Sequence, residues 1–370
     1  MIYTWLEEPV DPPWLQGPDY DDEVDGMLNL VYDAIQRKAY RAARPLLDAC
    51  LRRAMSARQR VRVQYALGML NVGERKPDLA LRHLDEALDL VAVMGEVSVC
   101  APLAYLRASV HAELSHYAPA AEYYDIAVEV LQADQSLVER DPAFAQSVFL
   151  GASTHEFLLA RSGDAQRHLA EARLLPGALE PHARAASEWI TALLERWRGD
   201  LWTALGRAIS VSDAYIGLAI PTSVARIHSV VAEIALDLAD VPHENGLNAP
   251  RDDMLSLAGK YSAAAVALSD AVRDPSGSGL ALLSHIRHNR LSGGNQDGMP
   301  LIDRVEALAR RLRDGTLLGQ VQTARGYELV ACGSIEEAAT CFRQAVATLT
   351  AMDSLAMAVW PQRALRRLDP

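Results

Sequence analysis

The sequence predicts an all-α fold, a right-handed α-solenoid of about eight stacked helical hairpins. Two small residues seven positions apart, with a large apolar residue between them, recur at intervals of roughly 40 residues. The composition is 50% hydrophobic but only 6% aromatic, which is typical of a folded chain rich in alanine and leucine. A chain of 370 residues exceeds the usual single-core domain, whereas a solenoid grows by adding hairpins and needs no second core.

The first 22 residues differ from the rest and predict an extended N-terminal arm. They hold four prolines and several apolar residues, among them Trp5 and Trp14. Residues 1–25 also carry eight of the 48 acidic residues and no lysine or arginine, so most of the formal net charge of −12 lies here. Two interpretations stay open. The arm covers the apolar end of the first hairpin, where Trp5 and Trp14 would dock, or it recognises another protein.

Helical periodicity begins at Glu23 and predicts a first hairpin at 24–55 and a second at 57–93. In each copy of the pattern, the small residues let a neighbouring helix approach and the large residue fills the gap. The copies are Ala80/Leu84/Ala87 after Leu67-Gly68, Ala120/Tyr124/Ala127, Ala165/Leu169/Ala172, Ala264/Leu268/Ala271, and Ala338/Phe342/Ala345 after Gly326 and Gly333. Ala204 and Ala208, after Gly199-Asp200, form a weaker and incomplete copy.

These positions resemble the tetratricopeptide repeat, in which a Leu-Gly pair is followed by an alanine, a large apolar residue and another alanine. The interval here is roughly 37–45 residues rather than the usual 34, and the proline that closes many repeats of the family is mostly missing. The chain is therefore similar to the longer-repeat arrays of bacterial regulators and signalling ATPases.

The resemblance implies that the first helix of each hairpin lines a concave groove that binds a peptide or protein. Tyrosine, arginine and methionine are favourable residues for such an interface. Carrying the family's register across gives these groove candidates: Arg62, Tyr65, Met69, Tyr105, Ser109, Gln320, Thr323 and Tyr327. The alternative is that several of them pack between adjacent first helices.

Segments rich in glycine, proline and asparagine interrupt the second half of the chain. The longest, at 240–253, predicts a boundary between a block at 23–240 and a block at 254–370. The alternative is one continuous array. A basic run at 285–290 is either a docking surface for an acidic partner or a solvated helix face.

Neither a complete catalytic motif nor a cofactor-binding motif accompanies the repeats. The string at 291–296 imitates the signature loop of transporter ATPases, but no phosphate-binding loop precedes Gly259-Lys260. His155-Glu156 lacks the second histidine of a zinc protease, because position 159 is leucine. Four scattered cysteines form no C-x-x-C pair, which argues against a disulfide framework and a zinc site. We expect no enzyme activity, no cofactor and no metal.

The sequence thus predicts a non-enzymatic scaffold or adaptor that binds an unidentified peptide or protein. The alternative function is a ligand-sensing regulatory module, in which a peptide or small molecule changes the superhelix. The net negative charge argues against direct nucleic-acid binding. The absence of a long uncharged run and of a signal peptide predicts a cytoplasmic protein that does not enter a membrane. Monomer and homodimer are left open.

Overall fold

A computed structural model describes residues 22–53, 55–175, 180–240, 251–293 and 298–368. These ranges contain α-helices, one short 3₁₀ turn at Val97–Val99 and no β-strand. The arm residues Trp5 and Trp14 lie outside the described residues. The helices are α1 (Asp22–Gln36), α2 (Tyr40–Leu51), α3 (Ala57–Gly73), α4 (Pro77–Met94), α5 (Cys100–Glu113), α6 (Tyr117–Ala133), α7 (Gln135–Arg140), α8 (Pro142–Leu158), α9 (Ser162–Leu174), α10 (Pro181–Arg198), α11 (Leu201–Gly217), α12 (Pro221–Asp240), α13 (Arg251–Ala271), α14 (Pro275–Leu291), α15 (Met299–Leu312), α16 (Gly315–Ala331), α17 (Ile335–Ala351) and α18 (Leu355–Leu368).

Consecutive helices follow one another as hairpins, which confirms the predicted all-α repeat fold. Within the described ranges, eight pairs run from α1–α2 to α16–α17, while the short α7 and the last helix α18 stand outside the pairing. Direct packing joins the two helices of a pair in α1–α2, α3–α4, α5–α6, α10–α11, α12–α13, α14–α15 and α16–α17. The described helices lack the combination of length and apolar composition that is needed to cross a membrane.

A residue in the left-handed conformation follows each of the helices α13 to α17, and these residues set the period of the repeat. Positive φ angles occur at Arg273, Gly293, Arg313, Gly333 and Asp353, which are spaced 20 positions apart. Such a residue closes the C-terminus of a helix and turns the chain into the next one. Two helices with their turns therefore occupy about 40 residues, which is longer than the 34 of the standard motif.

The small–large–small pattern marks the buried stripe of the second helices, as predicted. Ala338, Phe342 and Ala345 are all fully buried. Glycine lets α16 approach this stripe closely, because a Cβ atom added at Gly326 would lie only 2.5 Å from Cε1 of Phe342. The copies on α4, α6, α9 and α11 are buried in the same way.

The prediction for α13 is wrong in register. Ala271 is exposed and Ala264 and Leu268 are only half-buried, whereas Ser262 and Ser269 are buried. Ala258 and Ala265 are also fully buried, so the packed face of α13 does carry small residues, but in another register than Ala264 and Ala271.

The described chain divides into two compact units. The N-terminal unit holds residues 22–155 and 170–175, and the C-terminal unit holds residues 156–169 and 180–368. Helices α12 and α13 flank the boundary predicted at 240–253, and they pack against each other within the C-terminal unit. Residues 241–250 lie outside the described residues, and the division into blocks at 23–240 and 254–370 stays a prediction.

Candidate functional site: an ionic face on the first helices of the C-terminal unit

The first helices α12, α14 and α16 of the C-terminal unit form a continuous layer with the last helix, α18. In this layer α12 packs on α14, α14 on α16 and α16 on α18. Charged and aromatic side chains from this layer and from α10 contact one another across helices. We call this surface the ionic face. Its members are Arg196, Glu233, Asp237, Arg287, Arg290, Tyr327, Glu328, Trp360, Arg363 and Arg367.

Four of these residues form an ion quartet that joins α10, α12 and α14. Arg196 lies 2.7 Å from Asp237 (Nε to Oδ2) and 3.4 Å from Glu233 (Nη2 to Oε2). The Nη1 atom of Arg287 donates to Glu233 Oε2 and to Asp237 Oδ1, each at 2.8 Å. Each carboxylate thus accepts from both guanidinium groups. The quartet contains two arginines and two acidic residues, so its formal net charge is zero.

Burial and pairing act in opposite directions on the quartet. Burial of Asp237 opposes its ionisation, but the charges and hydrogen bonds of Arg196 and Arg287 outweigh it and lower the pKa of this carboxyl below 3.8. Burial likewise disfavours the charged form of Arg287, yet Asp237 and Glu233 raise its pKa above the ordinary value. Asp237 and Arg287 are therefore both ionised near neutral pH.

We expect the quartet to make the stability of the C-terminal unit depend on acid pH. Because the pKa of Asp237 is lower in the folded chain than its ordinary value of 3.8, its contribution is fully present above about pH 5 and is lost as the pH falls toward the folded pKa. Urea unfolding measured between pH 7 and pH 3 should show a smaller loss of stability for Asp237→Asn than for the wild type.

The matched control is Asp240→Asn, which removes a half-exposed carboxylate from the same helix. Solvent screens such a group, so we expect the stability of this variant to follow the wild-type curve. Equal acid sensitivity of Asp237→Asn and the wild type would contradict the assignment.

A second cluster joins α14, α16 and α18. Arg290 Nε lies 3.2 Å from Glu328 Oε1, and the Arg290 guanidinium carbon lies 5.2 Å from the centre of the Tyr327 ring. Burial is the largest influence on Tyr327 and raises the pKa of its hydroxyl, while Arg287, Arg367 and Arg290 act to lower it. The tyrosine hydroxyl therefore stays protonated in a positively charged environment.

Trp360 connects α18, the last helix of the unit, to α10. The guanidinium carbons of Arg196 and Arg363 each lie 5.3 Å from the centre of the Trp360 ring system. Both distances are within the range of a cation–π interaction. Arg196 thus contacts α18 while it also pairs with Asp237 on α12.

The predicted groove residues of the C-terminal unit all lie on α16. Tyr327 is part of the ionic face. Gln320 lies two helical turns earlier, is half-buried, and its Nε2 atom has no hydrogen-bond partner within the described residues. Thr323 is half-buried and donates to the carbonyl oxygen of Gly319 at 2.9 Å.

The predicted groove residues of the N-terminal unit are mostly buried. Arg62, Tyr65 and Met69 on α3 are each less than 8% exposed. Arg62 forms an ion pair with Asp25 of α1, which also accepts from Gln59. Arg62 thus contacts a neighbouring first helix, and all three side chains are buried. A role of these residues in a groove stays a prediction.

Tyr105 and Ser109 of α5 belong to a buried aromatic cluster. The Tyr105 ring lies 5.8 Å from Tyr124 and 5.5 Å from Phe144, both in edge-to-face contact. The hydroxyl groups of Ser109 and Tyr124 lie 3.3 Å apart. Burial raises the pKa of Tyr124 to about 12, while the Ser109 hydrogen bond acts to lower it.

Sequence reasoning missed Arg196, Glu233, Asp237 and Trp360. A signal for the quartet exists in the spacing, because Glu233 and Asp237 are four apart on a first helix and therefore share a face. The basic run at 285–290 contains both Arg287 and Arg290. Among the described residues, no group of three or more histidine, cysteine or acidic side chains is arranged to hold a metal ion.

The comparisons with known proteins concern the fold. No protein-family model matches the chain, and no curated protein matches its sequence. The apo form of the quorum sensor NprR from B. thuringiensis is similar with a TM-score of 0.63 and 12% identity, over 88% of this chain and 87% of that one.

Two solved complexes also have a fold similar to that of this chain. A Rap protein complexed with competence and sporulation factor has a TM-score of 0.61 and 13% identity, over 94% of this chain and 98% of that one. The Rap conjugation gene regulator of the plasmid pLS20, in complex with the Phr* peptide, has a TM-score of 0.56 and 10% identity, over 90% and 97%. The chain has a tetratricopeptide-like helical repeat fold. At these identities the likeness establishes the fold alone.

Proposed function

We propose that this protein is a non-enzymatic regulatory adaptor that binds a peptide, or an extended segment of a protein, on the ionic face. The observation that carries the proposal is the composition of this face. First helices that serve packing alone present apolar or small residues to their neighbours, whereas these helices present guanidinium, carboxylate, indole and phenol groups. Aromatic residues and arginine dominate binding hot spots.

The similar solved structures support this proposal. Two of them are complexes of helical-repeat regulators, one with competence and sporulation factor and one with the Phr* peptide. We extend peptide binding to this chain because its fold is similar and because its own first helices carry groups that bind peptides. A cytoplasmic location and a homodimer remain predictions.

A ligand-sensing module is the second candidate function. The observation in its favour is that the ion quartet connects three successive first helices through charged hydrogen bonds. A ligand that competes for Arg196 or Arg287 changes how α10, α12 and α14 pack. A sensor predicts a ligand-dependent increase in stability, about 2.7 kcal/mol at a hundredfold excess over the dissociation constant.

Affinity purification of the tagged full chain from its own host tests the proposal. The face variant Arg363→Glu/Arg367→Glu reverses two exposed charges on α18, and the control Arg304→Glu/Arg311→Glu reverses two exposed charges on α15. We expect the wild type and the control to retain the same partner and the face variant to lose it. Equal retention by all three chains would contradict binding on this face.

A chain lacking residues 1–22 separates the face from the acidic arm in the same experiment. If this truncated chain keeps the partner, the face carries binding and the arm covers the array. If truncation alone removes the partner, the arm is the recognition element and the proposed role of the face is wrong.

A further inference from the structure

Some arginines of the ionic face have a carboxylate partner among the described residues and others have none. The quartet uses both of its carboxylates, and Glu328 pairs with Arg290 at its Nε atom. Arg363 and Arg367 are exposed and form no ion pair with the described residues. The remaining carboxylate, Asp240, is half exposed and lies 3.8 Å from Arg287. Guanidinium groups are therefore in excess around α16 and α18.

Tyr327 lies at the centre of this excess. Its ring packs on the cluster of Phe342 and Ala364, and the Arg290 guanidinium lies over its face at 5.2 Å. Its side chain is half-buried, and its hydroxyl makes no hydrogen bond with the described residues, so this group can donate to a ligand. The packing of α18 against Tyr327 brings the neighbouring Arg367 to the same region.

We propose that Tyr327, Arg290 and Arg367 form a subsite for a carboxylate group of the bound peptide. This inference rests on the proposed function. The free nitrogen atoms of Arg290 can donate two parallel hydrogen bonds to a carboxylate, which is the preferred geometry of a guanidinium. The Tyr327 hydroxyl donates a third, and the exposed Arg367 adds positive charge at the rim.

A carboxylate reaches this subsite from one of two sources, the C-terminus of the peptide or an aspartate or glutamate side chain. The chemistry of recognition is the same for both. An internal segment of a folded partner offers only the second source, whereas a short free peptide offers both.

The test uses the full chain and an array of octapeptides of random sequence. Each peptide is made with a free C-terminus, as the C-terminal amide, and with every acidic residue replaced by its amide counterpart. Fluorescence polarisation then gives the affinity of each form for the wild type, for Tyr327→Phe and Arg290→Gln, and for the control Arg304→Glu/Arg311→Glu. Thermal denaturation checks that each variant is folded.

We expect the wild type and the control to lose about tenfold or more in affinity when the recognised carboxylate is neutralised, which is typical of one charged hydrogen-bonded contact. Amidation of the C-terminus causes the loss if the C-terminus is bound, and Asn or Gln replacement causes it if a side chain is bound. Arg290→Gln should bind both forms with nearly equal affinity. Tyr327→Phe removes one of the three hydrogen bonds, so its loss on neutralisation should be clearly smaller than that of the wild type. If Arg290→Gln does not fold, Tyr327→Phe decides.

Peptides that bind the wild type equally with and without carboxylates would overturn the subsite and leave the proposed function standing. So would a carboxylate dependence that both variants retain. If no peptide binds the wild type, the proposed function fails and the subsite fails with it.

Discussion

Replacement of Phe342 by alanine is expected to lower the free energy of unfolding of the C-terminal unit by about 3–5 kcal/mol. The Phe342 side chain is fully buried. It fills the space beside Gly326 and contacts the Tyr327 ring edge-to-face at 5.1 Å. Alanine leaves a cavity at this point, and the helices can close it only in part. Urea unfolding of the full chain, followed by fluorescence and circular dichroism, measures the loss.

The matched control for this variant is Arg343→Ala, one position further along α17 and exposed to solvent. A substitution of this kind changes stability by no more than about 0.5 kcal/mol. If Phe342→Ala costs less than about 1 kcal/mol, the close packing of α16 on α17 is wrong. Because Phe342 also supports Tyr327, the variant should weaken peptide binding as well.

Replacement of Asp25 by alanine is expected to destabilise the N-terminal unit by about 3–5 kcal/mol, because it leaves the buried Arg62 without its counter-charge. The two side chains are 4% and 5% exposed. The Nη1 atom of Arg62 makes this contact, and its Nε atom has no hydrogen-bond partner within the described residues. Hydrogen exchange of the α3 amides reports the loss locally.

The control for Asp25→Ala is Asp33→Ala on the same helix, which removes an exposed pair with Arg37. An exposed pair of this type contributes at most about 1 kcal/mol, so α3 should keep its protection. Faster exchange in both variants to the same extent would show that loss of helix α1, and not loss of the buried ion pair, is responsible.

The parts of the fold that could be predicted are those that depend on residue spacing within a single helix. Ala338, Phe342 and Ala345 lie within a single helix, α17. Their spacing alone indicates which face of this helix is packed. The same reasoning failed on α13, because this helix has two pairs of alanines seven positions apart. Ala258 and Ala265 are buried, whereas Ala264 and Ala271 are not, and spacing alone does not distinguish the two pairs.

The candidate site was less predictable because its contacts join distant parts of the chain. Arg196, Asp237 and Arg287 come from three helices, and no periodicity in the sequence reports their approach. Composition also misassigned Asp25. It was counted with the acidic arm, whereas it lies buried on α1 and pairs with Arg62, which the sequence offered as a groove residue.

Tyr327 shows what the position of a residue within the repeat can and cannot predict. Its position on a first helix predicted a place on the binding face, and the structure places it against Arg290 of α14 and near Arg367 of α18. The register carried no information on charge. The carboxylate subsite follows only from the unequal pairing of the guanidinium groups.

Site-specific photo-crosslinking tests the central claim most directly. A photoreactive phenylalanine analogue replaces Arg366, which is exposed beside Arg363 on α18, in one chain and the exposed Arg343 on α17 in another. Both chains are irradiated with the peptides or partner that the wild type retains. Peptide binding on the ionic face predicts a crosslink from position 366 and none from position 343. A crosslink from position 343 alone would contradict it.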